Sequence, residues 1–256
     1  MNYSEKEHLI KTLNANLRYD GRKLDEFREL TIETDVITTA EGSARVKMGN
    51  TEVLAGVKLS IGTPYADSAD EGVLMVGCEL LPIAHEDIES GPPGIDSIEI
   101  GRVIDRGIRE SKAIDTKKLC ITPGEKVWMV SVDVVPLNHD GNIIDIGAIA
   151  ALAALKTTRF PEVVDGNINY KKLTNEKLVI DKEPIAITVT KVGGNFLIDP
   201  TKEEESIADA RLTVTVTADN TFCSLQKGGE EGLTSEEIEK IFDIAIEKSN
   251  EIRSKL

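Results

Sequence analysis

Aromatic residues make up 4% of this 256-residue chain, with a single tryptophan, Trp128. Proteins that bind single strands of nucleic acid by stacking need exposed aromatic faces, so that mode of recognition is disfavoured from the outset. Cysteine is as scarce. Cys78, Cys120 and Cys223 are widely spaced and odd in number, which excludes a disulfide scaffold and a zinc framework and suits a reducing compartment. His8, His85 and His139, the three histidines, read as structural or solvated. No metal site and no cofactor is expected. Positive charge is in deficit: 30 Lys and Arg stand against 45 Asp and Glu, a net charge of −15. Such a surface repels nucleic acid and anionic membranes over most of its extent, so any RNA contact must come through a local patch or with a partner. Long apolar runs are missing too. The strongest, Ile143 to Leu155, is interrupted by Asp145 and too short to span a bilayer. The opening MNYSEKEHLIKTL carries charges where a signal peptide needs an apolar run. The expectation is a soluble cytoplasmic protein with no membrane partner.

What is present is a regular alternation of short β-branched segments with two or three periodic helical ones. Residues 4–17 predict a helix, followed by the turn Arg18-Tyr19-Asp20-Gly21-Arg22. Strands are predicted at 30–37, 42–48, 51–59 and 73–82, with Gly49-Asn50 as a hairpin turn. Gly91-Pro92-Pro93-Gly94 is incompatible with a helix, and Asp96 with Glu99 reads as a capping pair opening the next one. A strand at 126–137 precedes IIDIGAIAALAALK, apolar around most of its circumference and therefore a buried helix. The polar stretch 157–182 suggests a boundary. Beyond it come strands at 185–190, 194–199 and 210–218. A final helix has Thr234 and Glu237 as its capping box and Ile238, Ile241, Phe242 and Ala245 as its buried stripe. The pattern predicts an α+β fold of two similar halves, strands backed by helices. The divisions are an N-terminal helix and arm (1–28), a first half (29–160), a linker (161–184) and a second half (185–256).

The segment Ile98 to Ile114 is the most informative one. At ~100° per residue, Arg102, Arg106 and Arg109 fall in one line while Val103, Ile104 and Ile108 point the other way. Guanidinium forks at that spacing suit a row of phosphates. Lys112 lies about 80° from Arg102 around the helix and fits less well. Taken by itself, the pattern also fits a solvated face in which Arg106 pairs with Glu110. Glu203, Glu204 and Glu205, a run of three acids, read as a solvated loop.

The order of several short motifs resembles the RNase PH superfamily, and most nearly the non-catalytic RNase PH-like subunits of archaeal exosome rings. These motifs are Arg18-Tyr19-Asp20-Gly21-Arg22, Gly49-Asn50-Thr51-Glu52-Val53, Glu79-Leu80-Leu81-Pro82, Gly91-Pro92-Pro93 and Arg102-Val103-Ile104-Asp105-Arg106. The resemblance implies two halves like domain 2 of ribosomal protein S5. It further implies an alternating hetero-hexamer with a paralogous catalytic subunit, RNA-binding cap subunits, and single-stranded RNA entering a central channel for phosphorolysis from its 3′ end. Arg102 and Arg106 are then the RNA-binding pair, with Arg109 a third candidate.

Active members carry Gly-Ser-Arg or Gly-Thr-Arg at the start of the helix after the Trp128 strand; the matching positions here are Asn142, Ile143 and Ile144. They also carry two aspartates six residues apart, matched here by Glu205 and Arg211. Two aliphatic side chains replace a hydroxyl and a guanidinium, and an arginine replaces an acid. Asp145 is expected to add a further anion where phosphate should sit. The resemblance therefore implies a subunit with no catalytic residues of its own, positioning RNA for a partner. An active enzyme using Glu205 or Asp209, and a spacer without RNA contact, stay open as alternatives.

Overall fold

The computed structural model describes residues 3–164 and 167–256. Helix α1 (Tyr3–Asn14) leads into an arm, then strands β1 (Leu30–Thr34), β2 (Gly42–Met48), β3 (Thr51–Gly62) and β4 (Val73–Cys78). Helix α2 (Ile95–Glu110), β5 (Cys120–Thr122), β6 (Lys126–Asn138) and helix α3 (Ile143–Thr157) complete the first half. These strands form one sheet in the order β1-β2-β3-β6-β4, with β5 on the end of β6; β4 runs parallel to β6 and the other pairs are antiparallel. Val53, Ala55, Val57 and Leu59 alternate inward along β3 and are fully buried, as period-2 patterning requires.

Between the halves come β7 (Arg159–Val164) and β8 (Asn167–Lys177), an antiparallel pair standing apart from both larger sheets. The stretch read from its polarity as a linker thus contains a β-hairpin. Asp165 and Gly166 lie outside the described residues. Then follow β9 (Ile185–Val192), β10 (Asn195–Ile198), a one-turn helix α4 (Lys202–Ser206), β11 (Ala210–Val216), β12 (Phe222–Gly229) and the long helix α5 (Ser235–Arg253). The second sheet has the order β10-β9-β11-β12. The Thr234–Glu237 capping box opens α5 as read from the sequence, with both reciprocal hydrogen bonds formed.

Helix α3 packs against β2 and β3 on one side and β9 on the other, so residues 143 to 155 are all buried. That explains an apolar circumference interrupted by one acid. The core runs without a break from Val46 and Val57 through Ile104, Ile149 and Leu152 to Ile187, Val214 and Ile241. Helix α2 lies against β4 and α3 and reaches β12. It comes close because Gly101 and Gly107 carry no Cβ, which would meet Cys78 N at 3.2 Å and Thr215 Oγ1 at 3.2 Å. Its N-cap is Gly94, without a side-chain cap, so the predicted Asp96–Glu99 capping pair is not formed. Asp96 sits inside the first turn, and α2 ends at Glu110 rather than near Ile114.

The N-terminal arm belongs spatially to the second half. Leu9 and Leu13 of α1 are buried with Val192, Leu197 and Ile207. Arg18, its side chain fully buried, donates from Nε to Glu204 Oε1 (2.9 Å) and from Nη2 to Glu204 Oε2 (2.5 Å). It also donates to the carbonyls of Ile198 (3.0 Å) and Asp199 (2.8 Å). The Arg18–Arg22 corner is therefore a packed joint. Glu204 is not part of a solvated acidic run: it completes the α4 capping box and holds Arg18. Removing one member of such a buried pair strands the other. Arg18→Met is expected to destabilise the protein by about 3 kcal/mol. In urea titrations this should appear as a lower midpoint with an unchanged slope.

Candidate nucleic-acid interface and adjoining cleft

Two depressions flank α2. The outer one, about 560 Å³, is lined by Ile95, Ile98, Glu99, Arg102, Arg106 and Gln226. The inner one, about 510 Å³, runs between α2, the N-terminus of α3, α4 and β11. Glu99 lies on the ridge between them and lines both.

On the outer face the three predicted arginines do not behave alike. Arg102 and Arg106 are exposed on one stripe of the helix. Arg102 has no hydrogen-bond or ion-pair partner among the described residues, and Arg106 donates from Nη1 to Gln226 Oε1 at 3.2 Å. Arg109 is committed instead. It donates to Asp105 from Nε (2.9 Å) and Nη2 (2.6 Å), and from Nη2 to the Leu74 carbonyl (2.8 Å), which fastens α2 to β4. The hydrogen bond to Asp105 raises the guanidinium further above its ordinary pKa. The Arg106–Glu110 pair that the spacing allowed is not formed; the i,i+4 pair is Asp105 with Arg109.

The inner cleft is built on the start of α3. Asn142, buried and left-handed at φ 59°, is the N-cap, a conformation asparagine tolerates better than most residues. Its amide nitrogen donates to Glu205 Oε1 at 2.6 Å and its Nδ2 donates to Asp199 Oδ1 at 3.0 Å. A helix N-terminus concentrates free N–H groups and partial positive charge, so it attracts anions. Here the anion is internal: the carboxylate of Glu205. Burial pushes Glu205 above the ordinary carboxylate range, against the opposing pull of the Asn142 hydrogen bond and the charges of Lys202, Arg211 and Arg28. Ile143 and Ile144 follow, both buried, with no hydroxyl or guanidinium to offer.

Asp145 does not face the cleft opening as an added anion. It points inward, accepting from Thr188 N (2.9 Å) and Thr188 Oγ1 (2.6 Å), and Thr188 Oγ1 lies 2.8 Å from Thr213 Oγ1. This chain of polar groups ties α3 to β9 and β11. Burial raises Asp145 to about 7. Across the cleft, Arg211 donates from Nη2 to Glu99 Oε2 at 2.7 Å. Asp209, the other candidate acid, accepts from the Gly193 amide at 2.6 Å in the β9–β10 turn and does not line the cleft. His139 is held down to about 4, by burial first and then by Lys202, whose Nζ is 2.8 Å from Nε2; it is neutral at ordinary pH. Among the described residues no group of three His, Cys, Asp or Glu side chains could hold a metal ion, and no helix is long and apolar enough to cross a membrane.

Residues 26–161 match domain 1 of the 3′ exoribonuclease family, RNase PH, and residues 182–248 match domain 2 of the same family. The chain belongs to the RNase PH family. This member is similar to exosome complex component Rrp42 of Methanosarcina mazei, 48% identical over 249 residues that cover 97% of this chain and 92% of the relative. It is also similar to exosome complex component Rrp42 of Methanocella arvoryzae, 44% identical over 98% of this chain and 95% of that protein. Among solved structures it resembles a chain of the Archaeoglobus fulgidus exosome with RNA bound to the active site. That match has a TM-score of 0.91 and 41% identity, over 98% of this chain and 97% of that one. A rice Rrp46 chain, with TM-score 0.70 and 18% identity, shares the fold alone.

The RNase PH fold also brings to the site residues that the sequence did not single out. Gln226 reaches Arg106 because β12 pairs with β11, setting Gln226 beside Thr213 and Gly228 beside Arg211. No local motif marks it. Glu99 was legible only as a cap.

The internal acid of α3 has a measurable signature. With its folded pKa about 7 and its ordinary value 3.8, Asp145 binds more proton in the folded state between those limits. Its contribution to stability therefore falls as pH rises from about 4 to about 7 and is constant above. Asp145→Asn keeps an acceptor for the Thr188 amide and a donor for its hydroxyl. Relative to the parent, the variant is expected to gain stability, on the order of a few kcal/mol, across that interval. Parallel denaturation curves at pH 4.5, 6 and 8 read this difference directly.

Proposed function

We propose that this chain is a ring subunit of an archaeal-type exosome that holds the RNA backbone for a paralogous catalytic RNase PH-like subunit and performs no phosphorolysis itself. One observation carries the reading. The helix N-terminus that would receive phosphate is filled by Glu205, while Arg102 and Arg106 stand exposed on the adjoining helix. Phosphorolysis requires an anion seat for inorganic phosphate and an acid at the scissile bond. Here the seat already holds a carboxylate, and the position carried over for the second acid is Arg211, engaged with Glu99. The fixed geometry of Asp209 in its turn argues against it as a replacement acid.

The stripe of Arg102 and Arg106 supplies two forked donors on an otherwise acidic molecule. Arg109 serves that stripe indirectly, by neutralising Asp105 and anchoring α2 to β4. Similarity to Rrp42 proteins over nearly the whole chain supports assembly into an alternating hetero-hexamer, to which RNA-binding cap subunits add. Similarity to the chain from an RNA-bound exosome supports single-stranded RNA as the ligand.

The deciding experiment follows nucleoside diphosphate release from an end-labelled RNA with phosphate and magnesium. The purified chain is expected to be silent alone and to support release when mixed with its catalytic paralogue. Phosphate-dependent release by the chain alone would overturn the reading. In the assembled ring, Arg102→Glu with Arg106→Glu is expected to weaken RNA retention. Each lost contact should lower the salt slope of binding by ~0.7. An unchanged slope would reduce the chain to a spacer.

A further inference from the structure

Glu99, Arg102 and Arg106 lie on one face of α2, three and seven residues apart, and all three line the outer depression. A carboxylate three residues before an exposed arginine is ordinarily its ion-pair partner. It would also repel any phosphate approaching that arginine. Glu99 does neither here, because both its oxygens are taken from the second half of the molecule. Oε2 accepts from Arg211 Nη2 at 2.7 Å, and Oε1 faces Gln226 Nε2 at 3.4 Å. Gln226 in turn accepts from Arg106 through Oε1 at 3.2 Å.

The seat of Arg211 is shaped for this contact. Its cross-strand partner on β12 is Gly228, where a Cβ would fall 2.7 Å from both Cζ and Nε of the guanidinium. The bare glycine backbone lets the guanidinium lie across the strand toward α2. Its Nη1 is buried with no partner, so the guanidinium's one hydrogen bond among the described residues goes to Glu99, while its charge also bears on Glu205.

Resting on the reading that Arg102 and Arg106 bind RNA, we propose that Arg211 is a positioning residue for that site: it holds Glu99 away from Arg102, leaving the arginine pair uncompensated for phosphate. Gln226 completes the device by bridging Glu99 and Arg106. The arginine that stands where active relatives are expected to carry an acid thus has a task of its own, neutralising a carboxylate beside the RNA path.

The test uses the ring assembled from the full-length chain and its catalytic paralogue, with fluorescein-labelled oligo(A) titrated at several KCl concentrations. Arg211→Met is expected to weaken binding about three- to five-fold, the upper range for a partly exposed charge pair. The salt slope should fall by ~0.7 as Glu99 claims Arg102. Adding Glu99→Gln to that variant should bring affinity and slope back to within about two-fold of the parent; a role limited to folding gives no such rescue. Glu99→Gln alone keeps the shape without the charge, and should tighten binding about two-fold even if Arg211→Met does not assemble. Unchanged or weaker binding by Glu99→Gln, or Arg211→Met binding like the parent, would overturn the proposal. The two readings fail separately. Arg102→Glu without effect on retention removes the RNA site itself, whereas an effect there with none from Arg211 and Glu99 removes only this inference.

Discussion

One fully buried carboxylate, Asp199, joins the three parts of the chain whose relative placement creates the site. It accepts from Arg28 through the backbone N (2.9 Å), Nε (2.8 Å) and Nη2 (2.6 Å), from Arg22 Nη1 (3.0 Å) and from Asn142 Nδ2 (3.0 Å). Taking a charge out of water is tolerable only when pairing is this complete. The result couples the N-terminal arm, the start of α3 and the end of β10 in one cluster. The bond that Asp199 accepts from Asn142 Nδ2 helps hold the asparagine in the left-handed conformation that turns its backbone amide toward Glu205.

From this cluster the molecule's polarity follows in two directions. Inward, Asp145 and the threonines of β9 and β11 make a second buried polar link between the halves, in a helix otherwise packed by Ile, Leu and Ala. Outward, α4 supplies acids to two neighbours. Glu204 turns back to Arg18, and Glu205 turns forward to α3. Three consecutive glutamates in one short helix thus meet three environments, with Glu203 alone exposed. A cleft that would suit an anion is filled from within, while Arg102 and Arg106 stay exposed on the adjoining helix α2.

Much of the fold was legible. Period-2 segments, the all-round apolar α3, the Thr234–Glu237 box and the order of short motifs specify two α+β halves, and matches to both RNase PH domains agree with them. The misreading at 203–205 has a plain cause: polar composition was taken as a sign of solvent exposure, whereas a capping box and a buried ion pair satisfy Glu204 instead. Local composition cannot anticipate a partner more than a hundred residues away, such as Glu204 for Arg18.

The arginine stripe shows the same division most plainly. Helical periodicity alone placed Arg102, Arg106 and Arg109 on one face and Val103, Ile104 and Ile108 on the other, because 3.6 residues per turn is a local property of the backbone. Which of those arginines is free was not a local property. Arg109 is held by the Leu74 carbonyl and Asp105, Arg106 meets Gln226, and Glu99 is drawn off by Arg211. The elements, their amphipathic faces and the want of a hydroxyl or guanidinium at 142–144 were determined by the sequence itself. The availability of each charge was decided by tertiary structure, because electrostatic pairing depends on distance in space and not on distance along the chain.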